Sequence, residues 1–131
     1  MKNTKSMLDF EILNGIFEAT IVNYKEVPAL YDSDIGGHTD RMIRDAYIEV
    51  ELRLDNNETL ITRWYTKRLG YIMRNISAQF DGMIYRLNQL LEFCRTHSFT
   101  IEIWEDPRYG QQIEYDLRKI KGLVPSNLPR R

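Results

Sequence analysis

The stretch AYIEVELRLDNNETLITRWYTK, residues 46–67, decides the fold. Apolar and polar residues alternate through its first half, and this period of two predicts a β-strand with one dry face. The apolar positions are Ile48, Val50, Leu52 and Leu54. Asparagine tolerates the left-handed backbone of tight turns, so residues 55–58 predict a turn. Residues 59–67, rich in Thr, Trp and Tyr, predict a strand that returns to form a hairpin.

The length of that turn decides which face each side chain takes. A two-residue loop would bury Arg63 against Val50, and an unpaired buried guanidinium is costly. We therefore expect a three-residue loop at 56–58, which pairs Asp55 with Thr59 and points Thr62 and Trp64 into the core. In this register Arg63, Tyr65 and Lys67 point outward, opposite Glu51, Glu49 and Tyr47.

The segments on either side extend the pattern. A β-like run covers Ile16–Tyr24, and the turn-rich residues 29–44 read as a long loop. Helical spacing follows in two segments, at 69–80 and from a plausible N-cap at Asp81 to His97. Two more strands, centred on Ile101 and Tyr115, flank a hairpin loop at 105–110. The expected organisation is an N-terminal arm at 1–13, one domain at 14–121 and an irregular tail at 122–131.

Composition and charge place limits on the class of protein. The chain has 131 residues and a formal net charge of −1. Residues 1–60 carry 6 Lys and Arg against 12 Asp and Glu, whereas residues 61–131 carry 12 against 7. A polyanion would therefore approach the second half. One cysteine, the lack of a bilayer-length apolar run and the lack of a leader predict a cytoplasmic protein without a membrane partner.

The element order β-β-β-α-β-β resembles the OB-fold, a five-stranded barrel with a helix between strands 3 and 4. The segments that carry the likeness are Ile16–Tyr24, Tyr47–Lys67, Leu87–Cys94 and Phe99–Tyr115. More narrowly, the chain resembles the atypical single-stranded-DNA-binding proteins of Gram-positive conjugative plasmids and phages. The resemblance implies sequence-tolerant coating of single-stranded DNA, or of RNA, in plasmid transfer or phage replication. The chain differs from the housekeeping proteins of this class, because it ends in Leu128-Pro129-Arg130-Arg131 instead of an acidic tail.

Single-strand binding needs aromatic rings for stacking and cations for the phosphates. OB-folds place both on strands 2 and 3 and on the loops joining strands 1–2 and 4–5. The candidate residues are Tyr47, Arg63, Tyr65, Lys67, Arg68, Tyr71, Trp104, Arg108 and Tyr109. Structural alternatives stay open for several of them: a cross-strand salt bridge from Arg63 to Glu51, mutual packing of Tyr47 and Tyr65, and a solvated helical turn at 68–74. We expect Trp64 in the core and Trp104 outside it.

The chain offers little support for catalysis or for a cofactor. Cys94 and His97 lie one helical turn apart, but with no further soft ligand nearby a core cysteine beside a helix-end histidine is the better interpretation. Residues 32–36 resemble the start of a calcium loop but lack its third ligand and distal Glu. The sequence thus predicts a binding protein without enzymatic activity, metal or cofactor. The alternative is an OB-type protein-interaction or assembly module, and the N-terminal arm is the candidate for homo-oligomerisation.

Overall fold

The computed structural model describes residues 4–6, 14–33, 40–82 and 86–120. Its elements, in chain order, are β1 (Thr4–Ser6), β2 (Gly15–Val27), β3 (Leu30–Ser33), β4 (Asp40–Arg44), β5 (Tyr47–Leu54), β6 (Thr59–Tyr65), α1 (Thr66–Ala78), α2 (Leu87–Phe93), β7 (Phe99–Asp106) and β8 (Gly110–Glu114). The fold is therefore mainly β with two helices. No described helix is long and apolar enough to cross a membrane.

One sheet organises the molecule, with strand order β1-β6-β5-β2-β7-β8. The five strands from β6 to β8 are antiparallel, and β1 adds to β6 in parallel. The expected closed barrel is wrong, because β6 and β8 do not pair within the described residues. One reason is that β1 occupies the outer edge of β6 from Thr59 to Ile61. The resemblance implied one helix between the third and fourth strands of the barrel, whereas two helices, α1 and α2, lie between β6 and β7.

The hairpin of β5 and β6 has the predicted faces but a different register. Its three-residue loop is Asp55–Asn57 instead of 56–58, because Leu54 N–H donates to the Glu58 carbonyl at 2.8 Å and Asn57 adopts a φ of 70°. A left-handed third residue is typical of this loop length. The partners shift by two, so Arg63 lies opposite Glu49 and Tyr65 opposite Tyr47. Lys67 is not on the strand, because β6 ends at Tyr65 and α1 begins at Thr66.

The core forms where the sheet meets the two helices. The predicted dry face of β5 is buried, as is Trp64, whose indole N–H donates to the Tyr115 hydroxyl at 2.8 Å. Helix α1 contributes Ile72 and Ile76. Helix α2 contributes Leu90 and Leu91, and Cys94 is fully buried at its end. These side chains fix α1 and α2 against the sheet, and this sets the position of the first turn of α1 beside β6.

The second helix is much shorter than the sequence indicates. It begins after Arg86, so the expected N-cap at Asp81 is wrong. Asp81 and Gly82 have φ values of 60° and 68°, which no right-handed helix accommodates. Residues 83–85 of the expected helical segment lie outside the described residues.

The expected long loop at 29–44 is also wrong over most of its length. Strands β3 and β4 pair there as a separate two-stranded sheet, with Tyr31 opposite Met42 and Asp32 opposite Arg41. The residues near Gly36 are typical of turns and led to a loop being predicted for the whole stretch. The segments on both sides of them contain β-forming side chains, and these segments form the two strands. Most of the expected arm at 1–13 and the tail at 122–131 lie outside the described residues.

Candidate nucleic-acid interface

A groove lies where β6 and β8 fail to meet. It has a volume of about 670 Å³ and is walled by β6, the first turn of α1 and the β7–β8 hairpin. Four of the residues expected to bind a nucleic acid line it: Arg63, Tyr65, Arg68 and Tyr109. Arg63, Tyr65 and Arg68 come from β6 and the helix that directly follows it, whereas Tyr109 lies about 40 residues further along the chain. The fold therefore brings two phenol rings and two guanidinium groups together along one open seam.

On the β6 side, Arg63 is held by two tyrosines. Its Nη1 donates to the Tyr65 hydroxyl at 3.2 Å, and its guanidinium lies 4.6 Å from the centre of the Tyr47 ring. The hydrogen bond that Arg63 donates to Tyr65 is the main reason that the pKa of Arg63 lies above its usual value. The shifted register leaves no cross-strand contact to Glu51 of the kind expected, since Glu51 lies opposite Ile61. Arg63 is thus a positioned, exposed cation.

Tyr47 is far less open than expected. Its residue exposure is 7%, and the ring is 5.2 Å from that of Tyr65, centre to centre. Arg44 covers it as well, at 5.1 Å from the ring centre. The two tyrosines therefore pack against each other, which is the structural alternative that the sequence left open for them. A binding role for Tyr47 stays a prediction. Its ring contacts the Arg63 guanidinium and the Tyr65 ring, and so it supports both side chains.

On the opposite wall, a tight turn presents Tyr109. The Asp106 carboxylate accepts the backbone N–H groups of Arg108 and Tyr109, at 2.7 and 3.2 Å, and Gly110 completes the turn with a φ of 77°. Glycine takes that conformation without steric cost. Tyr109 is consequently 74% exposed on a well-defined backbone. Arg108 is exposed at the same tip but does not line the groove.

At the α1 end, Tyr71 is held by contacts within the fold, and a binding role for it stays a prediction. Its hydroxyl donates to Glu114 Oε2 at 2.6 Å, and the Arg68 guanidinium lies 5.3 Å from its ring centre. Burial, followed by the hydrogen bond to Glu114, raises the pKa of Tyr71 to about 12. Lys67 is exposed in the first turn of α1, and Trp104 is half-buried on β7 opposite Gln112. Neither of these two lines the groove.

The sequence analysis did not identify two amide side chains that line the groove. Gln111 and Gln112 on β8 line it, and Gln112 Nε2 donates to the Tyr109 carbonyl at 3.2 Å. Amide side chains can donate to and accept from base edges, so they suit a sequence-tolerant site. The QQ pair at the start of the last strand was the available signal. It carries neither charge nor an aromatic ring, so it did not stand out.

The residues considered for metal binding have other surroundings. Burial raises the pKa of the Cys94 thiol to about 12, and His97 stacks on Phe93 with 3.8 Å between ring centres. Asp32, from the stretch compared with a calcium loop, lies 3.7 Å from Arg41. Across the described ranges, no three His, Cys, Asp or Glu side chains are grouped so that they could hold a metal ion.

Comparisons with protein-family models, with curated proteins and with solved structures find no match to this chain.

Proposed function

We propose that the protein binds single-stranded DNA in the groove between β6 and β8, without regard to sequence and without catalysing a reaction. The observation that carries this proposal is the convergence of Arg63, Tyr65, Arg68 and Tyr109 on one open groove. Rings on which bases stack and cations that follow the phosphates are the two requirements of such a site.

The architecture is consistent with this use. The order β6-β5-β2-β7-β8 corresponds to the order 3-2-1-4-5 of the five antiparallel strands. We assign it to an OB-type sheet opened at the seam that a barrel would close. OB-folds place nucleic-acid sites on strands 2 and 3 and on the loop joining strands 4 and 5. In this assignment these are β5, β6 and the β7–β8 turn, each of which contributes residues to the groove. The likeness to plasmid and phage proteins implies a role in coating single strands during transfer or replication.

The charges near the groove support a modest affinity. Arg63 and Arg68 line it, Arg108 lies exposed at the hairpin tip, and Glu49 is the acidic residue on its wall. Three phosphate contacts would give a slope of log K against log salt of about −2 for a single strand. Two stacked bases, on Tyr65 and Tyr109, would supply most of the remaining affinity, at about 1–3 kcal/mol each.

A fluorescence titration with oligo-dT at several salt concentrations tests the proposal. We expect quenching of tyrosine emission, binding that weakens with salt along this slope, and a weaker response to duplex DNA. Arg63→Gln should make the slope shallower, whereas Arg86→Gln removes an exposed cation outside the groove and should not. A wild-type protein that fails to bind oligo-dT at low salt would refute the proposal, and oligo-U in place of oligo-dT distinguishes RNA from DNA.

A second candidate function is a protein-interaction module, and the β3–β4 ribbon favours it. Four large apolar side chains on these two strands are 47–58% exposed: Leu30, Tyr31, Met42 and Ile43. An isolated two-stranded sheet is marginally stable in water, and exposed apolar patches mark interaction sites. Sedimentation velocity tests this candidate. Ile43→Lys should shift a self-associating protein toward the monomer, and Ile16→Lys, at an exposed isoleucine outside the ribbon, is the matched control.

A further inference from the structure

A group of cations surrounds Tyr71 at the α1 end of the groove. The Arg68 guanidinium lies 5.3 Å and Lys119 Nζ 5.4 Å from the centre of the Tyr71 ring. Arg118 directly precedes Lys119 in the turn at 117–119, and its pKa is raised, mainly by Asp116 and to a smaller degree by Tyr71. We call Arg68, Tyr71, Arg118 and Lys119 the Tyr71 cluster. Arg68 belongs to the groove wall as well, so the cluster and the groove are continuous.

The acidic residues beside the cluster are occupied by the protein itself. Glu114 Oε2 accepts the Tyr71 hydroxyl at 2.6 Å and the backbone N–H groups of Tyr115 and Asp116 at 3.0 Å. Asp116 is 4% exposed, and its two carboxylate oxygens accept from Arg118 Nε and Nη2, each at 3.0 Å. Arg118 lowers the pKa of this carboxyl, which is therefore ionised at neutral pH. Both carboxylates are thus hydrogen-bonded to donors within the protein.

The cations of the cluster, in contrast, face solvent in fixed positions. Arg68 and Lys119 are exposed, and the Arg118 side chain is 69% exposed despite its two bonds to Asp116. The face of an aromatic ring attracts a cation even at an exposed site, so Tyr71 restrains Arg68 and Lys119. Restrained cations lose less entropy on binding a phosphate than free side chains do. The surface therefore presents three positioned positive charges.

We propose that the Tyr71 cluster is a phosphate subsite that extends the groove, and that Lys119 and Arg118 contact the backbone of a strand whose bases lie on Tyr65 and Tyr109. This inference rests on the proposed function. It adds two cations from the turn at 117–119 to the site and gives the bound strand a direction across the protein, from the β7–β8 tip past Arg68 to that turn. Lys119 does not line the groove, so a strand that contacts it must extend beyond the groove wall.

The test compares oligo-dT of two lengths on the full chain. OB-type sites cover about 4–16 nucleotides, so the short probe has about 4 nucleotides and the long probe about 12. Loss of one phosphate contact on a single strand reduces the salt slope by about 0.7. Lys119→Gln should therefore weaken the long probe about threefold to tenfold at low salt and leave the short probe unchanged. Lys119→Arg should retain wild-type affinity, and Arg86→Gln is the control for a general change in charge.

The outcomes separate this subsite from the proposed function. Wild-type binding of both probes, with Lys119→Gln equal to wild type on the long one, would overturn the subsite and leave groove binding standing. Equal losses for Lys119→Gln and Arg86→Gln would also overturn it, because the effect would then be long-range electrostatics. Failure of the wild-type protein to bind either probe would refute the proposed function, and the subsite with it. Thermal melting of each variant checks the fold, and the exposure of Lys119 leads us to expect unchanged midpoints.

Discussion

Tyr109→Ala should separate binding from stability more cleanly than any other substitution in the groove. The side chain is 74% exposed, and its backbone is held by Asp106 and Gly110 independently of the ring. Removing it should change the free energy of unfolding by less than about 0.5 kcal/mol. If one base stacks on the ring, the loss of binding free energy is about 1–3 kcal/mol. That corresponds to a rise in Kd of roughly 5- to 150-fold.

The assay is fluorescence anisotropy of labelled oligo-dT, with thermal melting of the same samples. Tyr109→Phe is the matched control, because it keeps the ring face and removes only the hydroxyl. We expect near wild-type affinity for Tyr109→Phe and the full loss for Tyr109→Ala. Unchanged affinity in Tyr109→Ala, or an equal loss in both variants, would refute the stacking argument.

Three further predictions concern the buried groups around the site. Tyr115→Phe leaves the buried Trp64 indole N–H without its acceptor, so denaturant unfolding should show a loss of about 1–3 kcal/mol, and unchanged stability would contradict that bond. The Cys94 thiol is fully buried, and burial raises its pKa to about 12. It should therefore resist alkylation in the native protein at neutral pH and react when the protein unfolds. Rapid labelling of the native protein would contradict this and show that the end of α2 opens. The pKa of Tyr71 is about 12 in the folded state, against an ordinary 10.0. As the pH rises, the unfolded chain therefore releases the Tyr71 proton first. The free energy of unfolding should fall as the pH rises from 10.0 to about 12. Because burial raises the pKa of Tyr115 also, the Tyr71 contribution is the difference in alkaline unfolding between wild type and Tyr71→Phe, and identical curves would contradict it.

The parts of the fold that follow from local pattern were predictable. The alternation in β5 identified its buried face, and the cost of burying Arg63 identified the outward face of β6. The register was off by two because both three-residue loops give the same faces. Only the left-handed Asn57 and the Leu54–Glu58 bond distinguish them. The period of two thus predicts which face of the sheet each side chain takes, whereas the geometry of the turn decides which residues of β5 and β6 lie opposite each other.

The errors at longer range have a common origin. Pairing of β1 with β6, and the resulting open seam, depends on contacts between residues more than 50 positions apart. The strands β3 and β4 were not predicted, because the residues between them are typical of a loop. The break at Asp81 and Gly82 was not predicted either, because the helical spacing of apolar residues continues past it. In the site, Arg63, Tyr65, Arg68 and Tyr109 were all predicted as candidates, with Arg63 and Tyr65 on one face. Their convergence, and the covering of Tyr47 by Arg44, required the tertiary structure.

The most direct test of groove binding is a map of backbone amide chemical shifts on titration with oligo-dT. We expect the changes to concentrate in residues 61–65 of β6, in the first turn of α1 and in residues 109–113 at the β7–β8 hairpin, because these segments wall the groove. Changes confined to the β3–β4 ribbon, or no changes at saturating oligo-dT, would contradict the account.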